Sequence, residues 1–323
     1  MSAKRQPIDE DAIRRAVDGI VTEIAASKEW GKAGAKIGAL AGIDTHQFGM
    51  AVLTRDGALI GGGDCDTAFS IQSISKVFSL ALALERCGEA LWQRVGREPS
   101  GDPFNSIVDL ERHEGIPRNP FINAGALVVV DMLLGTLDGE SEPEAVVEFV
   151  AGLLGEGEAF GINEEVARSD ETAGHLNRAL ASLAKHFGNF ENAIDRVMQA
   201  YVRQCAIELT CRQLARVGSF LMLEGAGDAA RPSDAALRRA RRINALMMTC
   251  GQYDGSGDFA YRVGLPAKSG VGGGILAIVP NTASVAVWSP GLDGNGNSLL
   301  GTLALEMLTD RIDWSVFGAV TTR

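Results

Sequence analysis

Two residues whose spacing could support catalysis, Ser73 and Lys76, stand where a polar turn leads into a long apolar stretch. Apolar residues recur at helical spacing over 74–84, and this pattern predicts a buried helix that begins near Ser73. Residues three positions apart lie on one face of a helix, so the Lys76 amine can reach the Ser73 hydroxyl. The spacing therefore predicts a serine nucleophile with its own base.

A serine at the start of a helix is also placed to stabilise negative charge. The first N–H groups of a helix lack internal partners and carry partial positive charge, which favours an oxyanion beside them. A lysine acts as a base only if burial or nearby cations lower its pKa, and the apolar helix supplies such burial. The alternative for this pair alone is an N-cap serine followed by a lysine whose stem lies along the helix.

A second motif lies in 265–275, where a lysine, a hydroxyl residue and glycines lead into a predicted strand. Lys268, Ser269 and Gly270 form the other mark of Ser-x-x-Lys acyl-transfer enzymes, in which this strand edge lies beside the nucleophile. Small residues let the backbone approach a substrate, so the Val271 N–H would be the second oxyanion donor. Alone, the segment is equally a glycine-rich hairpin start. Together the two motifs predict an acyl-transfer site.

The elements that must position these motifs follow from hydrophobic periodicity and turn residues. Four strands are predicted, two near each chain end: 48–54, 58–62, 274–279 and 283–288. Helical spacing predicts these helices: 9–30, 74–84, 124–134, 143–154, 171–187, 190–204, 210–223, 233–248 and 299–308. The glycine-rich residues 31–42 are predicted to be a loop that passes close to a ligand.

These elements predict an α+β fold with one antiparallel sheet built from both chain ends. Terminal helices cover one face of the sheet, and a mostly helical middle part covers the other. We expect residues 1–323 to form a single catalytic unit. Within it, about 1–84 and 250–323 contribute the sheet, and about 85–249 are helical.

Composition argues against several functions. The 323 residues are 46% hydrophobic, enough for a sizeable core, and the net charge of −11 disfavours general binding to nucleic acids or anionic membranes. No apolar run approaches transmembrane length, and the charged first residues lack the apolar region of a signal peptide. The five cysteines lack metal-like spacing and are typical of reduced thiols. We therefore expect a cytoplasmic protein without a metal site.

Several segments resemble the bacterial and mitochondrial glutaminase family, serine amidohydrolases built on the β-lactamase fold. The similar segments, between about residues 30 and 310, are 69–76, 98–101, 104–106, 119–126, 204–210, 250–254 and 264–271. The resemblance implies a β-lactamase/transpeptidase-like fold and hydrolysis of L-glutamine to L-glutamate and ammonia through a serine acyl-enzyme. This chemistry needs only proton transfer and oxyanion stabilisation, so no cofactor is expected. A homodimer or homotetramer is expected from the resemblance alone.

The resemblance also implies catalytic roles for individual residues. Ser73 is the nucleophile and Lys76 its activating partner, while Tyr253 is a second candidate for proton transfer. The N–H groups of Ser73 and Val271 form the oxyanion hole. Which of Lys76 and Tyr253 is the general base stays open.

Four further residues are implied to bind substrate. Asn123, Asn177 and Tyr201 fall where the family binds the amino acid's α-amino, α-carboxylate and side-chain groups, and Asp170 falls where it binds the ammonium. Short amides and phenols suit a small zwitterion because they hold it by fixed hydrogen bonds. The structural alternatives are a helix end for Asn123, solvent exposure for Asn177 and the edge of the core for Tyr201.

Three positions differ from the family pattern. Asp170, followed by Glu171, replaces the usual glutamate. Its side chain is one methylene shorter, so either Asp170 reaches less far or Glu171 takes over its role. Lys36 stands in place of a tyrosine near the N-terminal loop, and Leu176 in place of an arginine. We expect these changes to leave the chemistry intact and to act on the affinity and selectivity for glutamine.

Two other functions compete with this interpretation. A penicillin-recognising hydrolase would be expected to carry a secretion signal. A degenerate amino-acid-binding protein is suggested by Lys36 and Asp170, but a pure binder would have no need of Ser73, Lys76 and Tyr253 together.

Overall fold

A computed structural model describes residues 8–34, 38–137, 142–223 and 232–318, without the side chains of 39, 142 and 170–173. The helices in these ranges are α1 (Glu10–Ala25), α2 (Ser75–Cys87), α3 (Leu91–Arg94), α4 (Ile107–Arg112), α5 (Asn123–Leu134), α6 (Ala145–Leu154), α7 (Glu164–Ala173), α8 (His175–His186), α9 (Ile194–Cys205), α10 (Cys211–Gly218), α11 (Asp234–Cys250), α12 (Ser256–Arg262) and α13 (Leu299–Ile312). The strands are β1 (Gly49–Thr54), β2 (Leu59–Gly63), β3 (Phe69–Ser70), β4 (Gly161–Ile162), β5 (Ile207–Leu209), β6 (Ala267–Ser269), β7 (Gly274–Val279) and β8 (Ala283–Trp288).

The main sheet is antiparallel and has the strand order β2-β1-β8-β7-β6. Strand β1 from the N-terminal part pairs with β8 from the C-terminal part, with Met50 opposite Val287. The prediction of one sheet built from both chain ends is confirmed. The edge strand β6 was not predicted as a strand, because three residues are too short to show a period of two. It carries Lys268 and pairs with β7 through Ser269 and Ile275.

Both faces of the sheet are covered by helices. Along β1, Met50 and Val52 pack into a core with α1 and α13, whereas Ala51 and Leu53 pack into a larger core with the helices of the middle part. This alternation is the period of two expected for a strand with two buried faces. The predicted placement of terminal helices on one face and middle helices on the other is confirmed.

Helix α5 lies at the centre of the helical part and positions Asn123 at its first residue. Almost all of its residues are apolar and buried, as expected for a helix surrounded by others, and it packs against α2, α8 and α9. Its one buried carboxylate, on Asp131, accepts a hydrogen bond from Arg94 at 2.6 Å and others from the backbone N–H groups of Glu191 and Asn192. These contacts tie α5 to the segment that enters α9.

Several predicted helix boundaries differ from the observed ones. The predicted helix 171–187 is two helices, α7 and α8, that meet at Gly174, and the predicted helix 9–30 ends at Ala25. The middle part also contains two short strands, β4 and β5, which pair with β3 in a second sheet. Among the helices of the described ranges, none combines the length and apolar character that crossing a bilayer needs.

Candidate active site

Ser73 lies in a single 3-10 turn, Gln72–Ile74, that runs directly into α2. The predicted α-helix starting near Ser73 therefore begins two residues later, at Ser75. Gln72 adopts a φ of 48°, in the left-handed region that non-glycine residues rarely occupy. Its Nε2 donates to Ser70 Oγ at 3.0 Å, and Ser70 Oγ donates to the Cys205 carbonyl at 2.9 Å. These bonds hold the strained turn that presents Ser73.

Lys76 is buried beside the turn, with 1% of its surface exposed. Its Nζ donates to the Phe121 carbonyl at 3.0 Å and to Asn123 Oδ1 at 2.8 Å. Burial lowers the pKa of Lys76 to about 8, against a small opposing effect of Cys205. A neutral amine is therefore within reach near neutral pH, as a general base requires.

Tyr253 is brought to Ser73 by a second strained turn. The residue begins the 3-10 turn Tyr253–Gly255 after α11 and has a φ of 51°. Its hydroxyl is in hydrogen-bond contact with Ser73 and donates to the Ser269 carbonyl at 3.3 Å. Burial raises the pKa of Tyr253, an effect that the contact with Ser73 partly opposes. The phenol is therefore protonated near neutral pH and can donate a proton.

Glycines allow the turn after β6 to lie directly against the Ser73 segment. A Cβ on Gly270 would lie 2.4 Å from the Ile71 carbonyl oxygen, and one on Gly272 would lie 2.3 Å from that of Ser70. Val271 stands between these glycines and lines the same cavity as Ser73. The turn is therefore close enough to Ser73 for a shared ligand.

A cavity of about 900 Å³ joins the candidate substrate-binding residues to Ser73. Ser73, Asn123, Asn177, Tyr201 and Val271 all line it. Lys76 and Tyr253 are joined to this wall by their hydrogen bonds to Asn123 and Ser73. Five of the eight residues predicted from the sequence thus share one cavity, and two more contact its lining.

Asn123 connects Lys76 to Asn177 by hydrogen bonds from both ends of its amide. Its Oδ1 accepts from Lys76, while its Nδ2 donates to Asn177 Oδ1 at 2.9 Å. Both ends of the Asn123 amide are therefore fixed, and Asn123 and Asn177 point into the cavity as a pair. Tyr201 is 6% exposed and lines the cavity from α9.

Of the positions that differ from the family pattern, only Leu176 has a side chain that the structure describes. Lys36 lies outside the described residues, and for Asp170 and Glu171 only the α7 backbone is described. Leu176 is 39% exposed and lines the cavity where α8 begins. The structure thus puts an apolar side chain at the rim of the site.

Sequence reasoning missed several polar residues of the cavity wall. Lys32, Asn105, Asp254, Asp293 and Asn295 all line it. Residues 31–34 belong to the loop predicted to pass near a ligand, and they pair with a second glycine-rich loop through backbone bonds between Lys32 and Leu292. The glycines of 291–296 were a signal that could have drawn attention to this second loop.

The chemical groups brought together at the site are those that acyl transfer needs. A serine, a buried lysine, a protonated phenol and backbone N–H groups can attack a carbonyl carbon, take up a proton, protonate a leaving group and stabilise an oxyanion. Among the side chains that the structure describes, no group of three or more His, Cys, Asp or Glu residues is arranged to hold a metal ion.

Comparisons with known proteins agree on one family. The family model described as Glutaminase matches residues 31–317. A glutaminase from Methylobacterium sp. (strain 4-46) is 53% identical over 306 residues, or 95% of this chain and 99% of that protein. The solved structure of the probable glutaminase ybaS has a TM-score of 0.88 at 35% identity and covers 97% of this chain and 100% of its own. Mglu in its Tris and glutamate form has a TM-score of 0.87 at 33% identity, covering 98% of this chain and 68% of its own.

The solved neighbours are glutaminases with the β-lactamase-like fold, and the antiparallel sheet between two helical layers is that fold in this chain, as predicted. The match of the family model and the identity to curated relatives extend over nearly the whole sequence. The chain belongs to the glutaminase family.

Proposed function

We propose that this protein hydrolyses L-glutamine to L-glutamate and ammonia, with Ser73 as the nucleophile. Membership of the glutaminase family makes the chain an amidohydrolase that acts on glutamine. The observation that carries the assignment of Ser73 is its contact with Tyr253, in the turn that runs directly into α2. The buried Lys76 amine bonds to Asn123, which lines the same cavity as Ser73.

In the acylation step, Lys76 is the base and Tyr253 is the acid. At pH 7 an amine with a pKa of about 8 is neutral in roughly one molecule in ten. The neutral amine takes the Ser73 proton while Oγ forms a bond to the side-chain carbonyl carbon. The resulting oxyanion is stabilised by the N–H groups of Ser73 and Val271. The raised pKa of Tyr253 supports the opposite role, because a protonated phenol can donate.

Collapse of the tetrahedral intermediate breaks the C–N bond. The leaving nitrogen takes the Tyr253 proton and departs as ammonia, leaving a γ-glutamyl ester on Ser73. The proton on Lys76 then passes to the Tyr253 oxygen, which is the more basic of the two. Water attacks the ester with Lys76 as base, and Ser73 recovers its proton from Lys76 as glutamate leaves.

Substrate orientation is assigned to the polar side chains of the cavity. The linked amides of Asn123 and Asn177, together with the Tyr201 phenol, hold the α-amino and α-carboxylate groups by fixed hydrogen bonds. The carboxylate that binds the ammonium is assigned to Asp170, or to Glu171 beside it, from the resemblance to the family alone. No cofactor takes part in this scheme.

We also propose that residues 1–323 act as a single catalytic unit. The cavity is lined by residues of the sheet-containing part, such as Ser73 and Val271, and by residues of the helical part, such as Asn123 and Asn177. Neither part would hold the complete set by itself.

A homodimer or homotetramer and a cytoplasmic location complete the proposal. Support for association comes from exposed apolar side chains on and beside α4 and α8, namely Ile107, Val108, Ile116 and Phe187. Support for a reducing compartment comes from the five cysteines, all of which are free thiols. Sedimentation velocity tests the first point, and fractionation of the source cells tests the second.

The test of function is ammonia release from glutamine, asparagine and simple amides, with Ser73→Ala as the control. We expect the parent protein to release ammonia from glutamine in preference to the other amides, and the variant to lose this turnover. A parent that binds glutamine without turnover, or that instead opens a chromogenic β-lactam, contradicts the proposal.

A further inference from the structure

Lys268 is a completely buried lysine to which the acyl-transfer scheme gives no role. It lies on the edge strand β6 with 0% of its surface exposed. None of the ion pairs between described residues includes it. Its Nζ instead donates to two backbone carbonyls, that of Ser269 at 2.6 Å and that of Gly251 at 3.1 Å. Burying an amine without a carboxylate partner costs free energy, so a buried lysine at this position suggests a functional role.

Both carbonyls lie next to Tyr253. Gly251 caps the C-terminus of α11 two residues before Tyr253, and its carbonyl also accepts the backbone N–H of Ser269 at 3.1 Å. The Ser269 carbonyl is shared, because it accepts from Lys268 Nζ and from the Tyr253 hydroxyl at 3.3 Å. The amine of Lys268 thus joins the end of α11 to the end of β6 at the acceptor that orients the phenol.

The rings around Lys268 restrict it further. Its Nζ lies 4.5 Å from the centroid of the Tyr253 ring and 5.9 Å from that of Phe121. Phe121 is also the residue whose carbonyl accepts from Lys76. Burial lowers the pKa of Lys268, and the neighbouring Lys76 amine lowers it further. A neutral amine still has two N–H donors for two carbonyls, so its hydrogen bonds do not depend on its charge.

We propose that Lys268 is a positioning residue whose amine fixes the Ser269 carbonyl and thereby aims the Tyr253 hydroxyl at the leaving nitrogen. This inference rests on the proposed function, in which Tyr253 protonates departing ammonia. Lys268 acts through Tyr253 and does not touch the substrate. Its loss therefore affects the step that needs a proton donor more than the attack by Ser73.

The choice of leaving group separates this role from a purely structural one. Ammonia leaves only when protonated, whereas the p-nitrophenolate of a γ-glutamyl p-nitrophenyl ester leaves as a stable anion. In Lys268→Met, which keeps the stem length and removes the donors, we expect kcat/KM for glutamine to fall about 100-fold. We expect kcat/KM for the ester to change by less than about threefold, as proton donation contributes little to that reaction.

The ratio of the two kcat/KM values is measured on one preparation, so it does not depend on how much of the protein is folded. If Lys268→Met gives no folded protein, Lys268→Gln is measured in the same way. Lys185→Met is the matched control, because Lys185 is an exposed lysine of α8 whose Nζ donates to the Asn192 carbonyl. Its ratio is expected to equal that of the parent.

A double-variant cycle gives a second readout. If Lys268 acts through the phenol, Tyr253→Phe already removes what Lys268 supports, and adding Lys268→Met changes the ratio by less than about twofold. The inference is overturned if Lys268→Met loses kcat/KM equally on glutamine and on the ester, or if it stays active with an unchanged ratio of the two. Either result leaves the proposed function standing. A parent that hydrolyses neither substrate overturns both.

Discussion

Replacing Asn123 by aspartate should raise the pKa of Lys76 and move the pH dependence of the reaction. Asn123 Oδ1 accepts from Lys76 Nζ at 2.8 Å, so Asn123→Asp puts a carboxylate oxygen in hydrogen-bond contact with the amine. An opposite charge at this distance favours the protonated amine and shifts a pKa by about 1–3 units. We expect the pKa of Lys76 to rise from about 8 to roughly 10.

The sign of the effect on activity follows from the role of a base. Only the neutral amine accepts a proton, so kcat/KM of the parent rises with pH and levels off above about 8. At pH 8 about half of the parent molecules have a neutral Lys76, against roughly one in a hundred in Asn123→Asp. The variant should therefore lose about fifty-fold in kcat/KM at pH 8 and recover much of it by pH 10.

The assay is ammonia release from glutamine at a series of pH values from about 6 to 10. Asn177→Asp is the matched control, because Asn177 lines the same cavity but bonds to Asn123 Nδ2 and not to the amine. In this control we expect a raised KM with the rising limb displaced by less than about half a unit. If the midpoint of the rise in kcat/KM with pH stays near pH 8 in Asn123→Asp, or moves to lower pH, Lys76 is not the base.

Three further predictions concern the acid, the close approach of β6 and the support of α5. Tyr253→Phe should lower kcat for glutamine by about 10²-fold, measured by ammonia release, because no donor remains for the leaving nitrogen. Gly270→Ala should lower kcat for ammonia release by displacing the turn after β6, because the new Cβ would lie 2.4 Å from the Ile71 carbonyl oxygen. In the control Gly152→Ala, the new Cβ meets no atom within 4 Å, so kcat should stay unchanged. Asp131→Ala should reduce the free energy of unfolding in urea by about 3–5 kcal/mol, because it removes a fully buried carboxylate that accepts from a half-buried arginine and from two backbone N–H groups. Asp195 is the matched control, because its side chain is 85% exposed. Asp195→Ala should change the free energy of unfolding by less than about 0.5 kcal/mol.

The parts of the fold that sequence could predict are those whose signal is local. Strands β1, β2, β7 and β8 are long enough to show their apolar character and are joined by recognisable turns. Strand β6 is three residues long, and only its pairing with β7 defines it. The 3-10 turn before α2 likewise depends on Gln72 bonding to Ser70, which sequence patterns do not reveal.

The same distinction holds for the site. The spacing of Ser73 and Lys76 stood out in the sequence because residues three positions apart lie on one face of a helix. In the structure Ser73 lies in the 3-10 turn before α2, and Lys76 bonds to Phe121 and Asn123. The contact of Tyr253 with Ser73 joins positions far apart in the chain, so only resemblance to a family could suggest it. The contact of Asn123 with Lys76 is also long-range, and it was missed, as the sequence suggested only that Asn123 binds substrate. The roles of Lys32 and Asp254 in the cavity wall depend on loop packing and carry no sequence pattern.

In the proposed mechanism the glutamyl group is transferred to the hydroxyl of Ser73. The most direct measurement is to mix the protein with the γ-glutamyl p-nitrophenyl ester, quench in acid within milliseconds and map the adduct by peptide mass spectrometry. We expect a mass increase of one glutamyl group on the peptide that contains Ser73, and no adduct in Ser73→Ala. An adduct at another nucleophile, such as the cavity-lining Cys205, would contradict the account, as would rapid turnover with no adduct at any time.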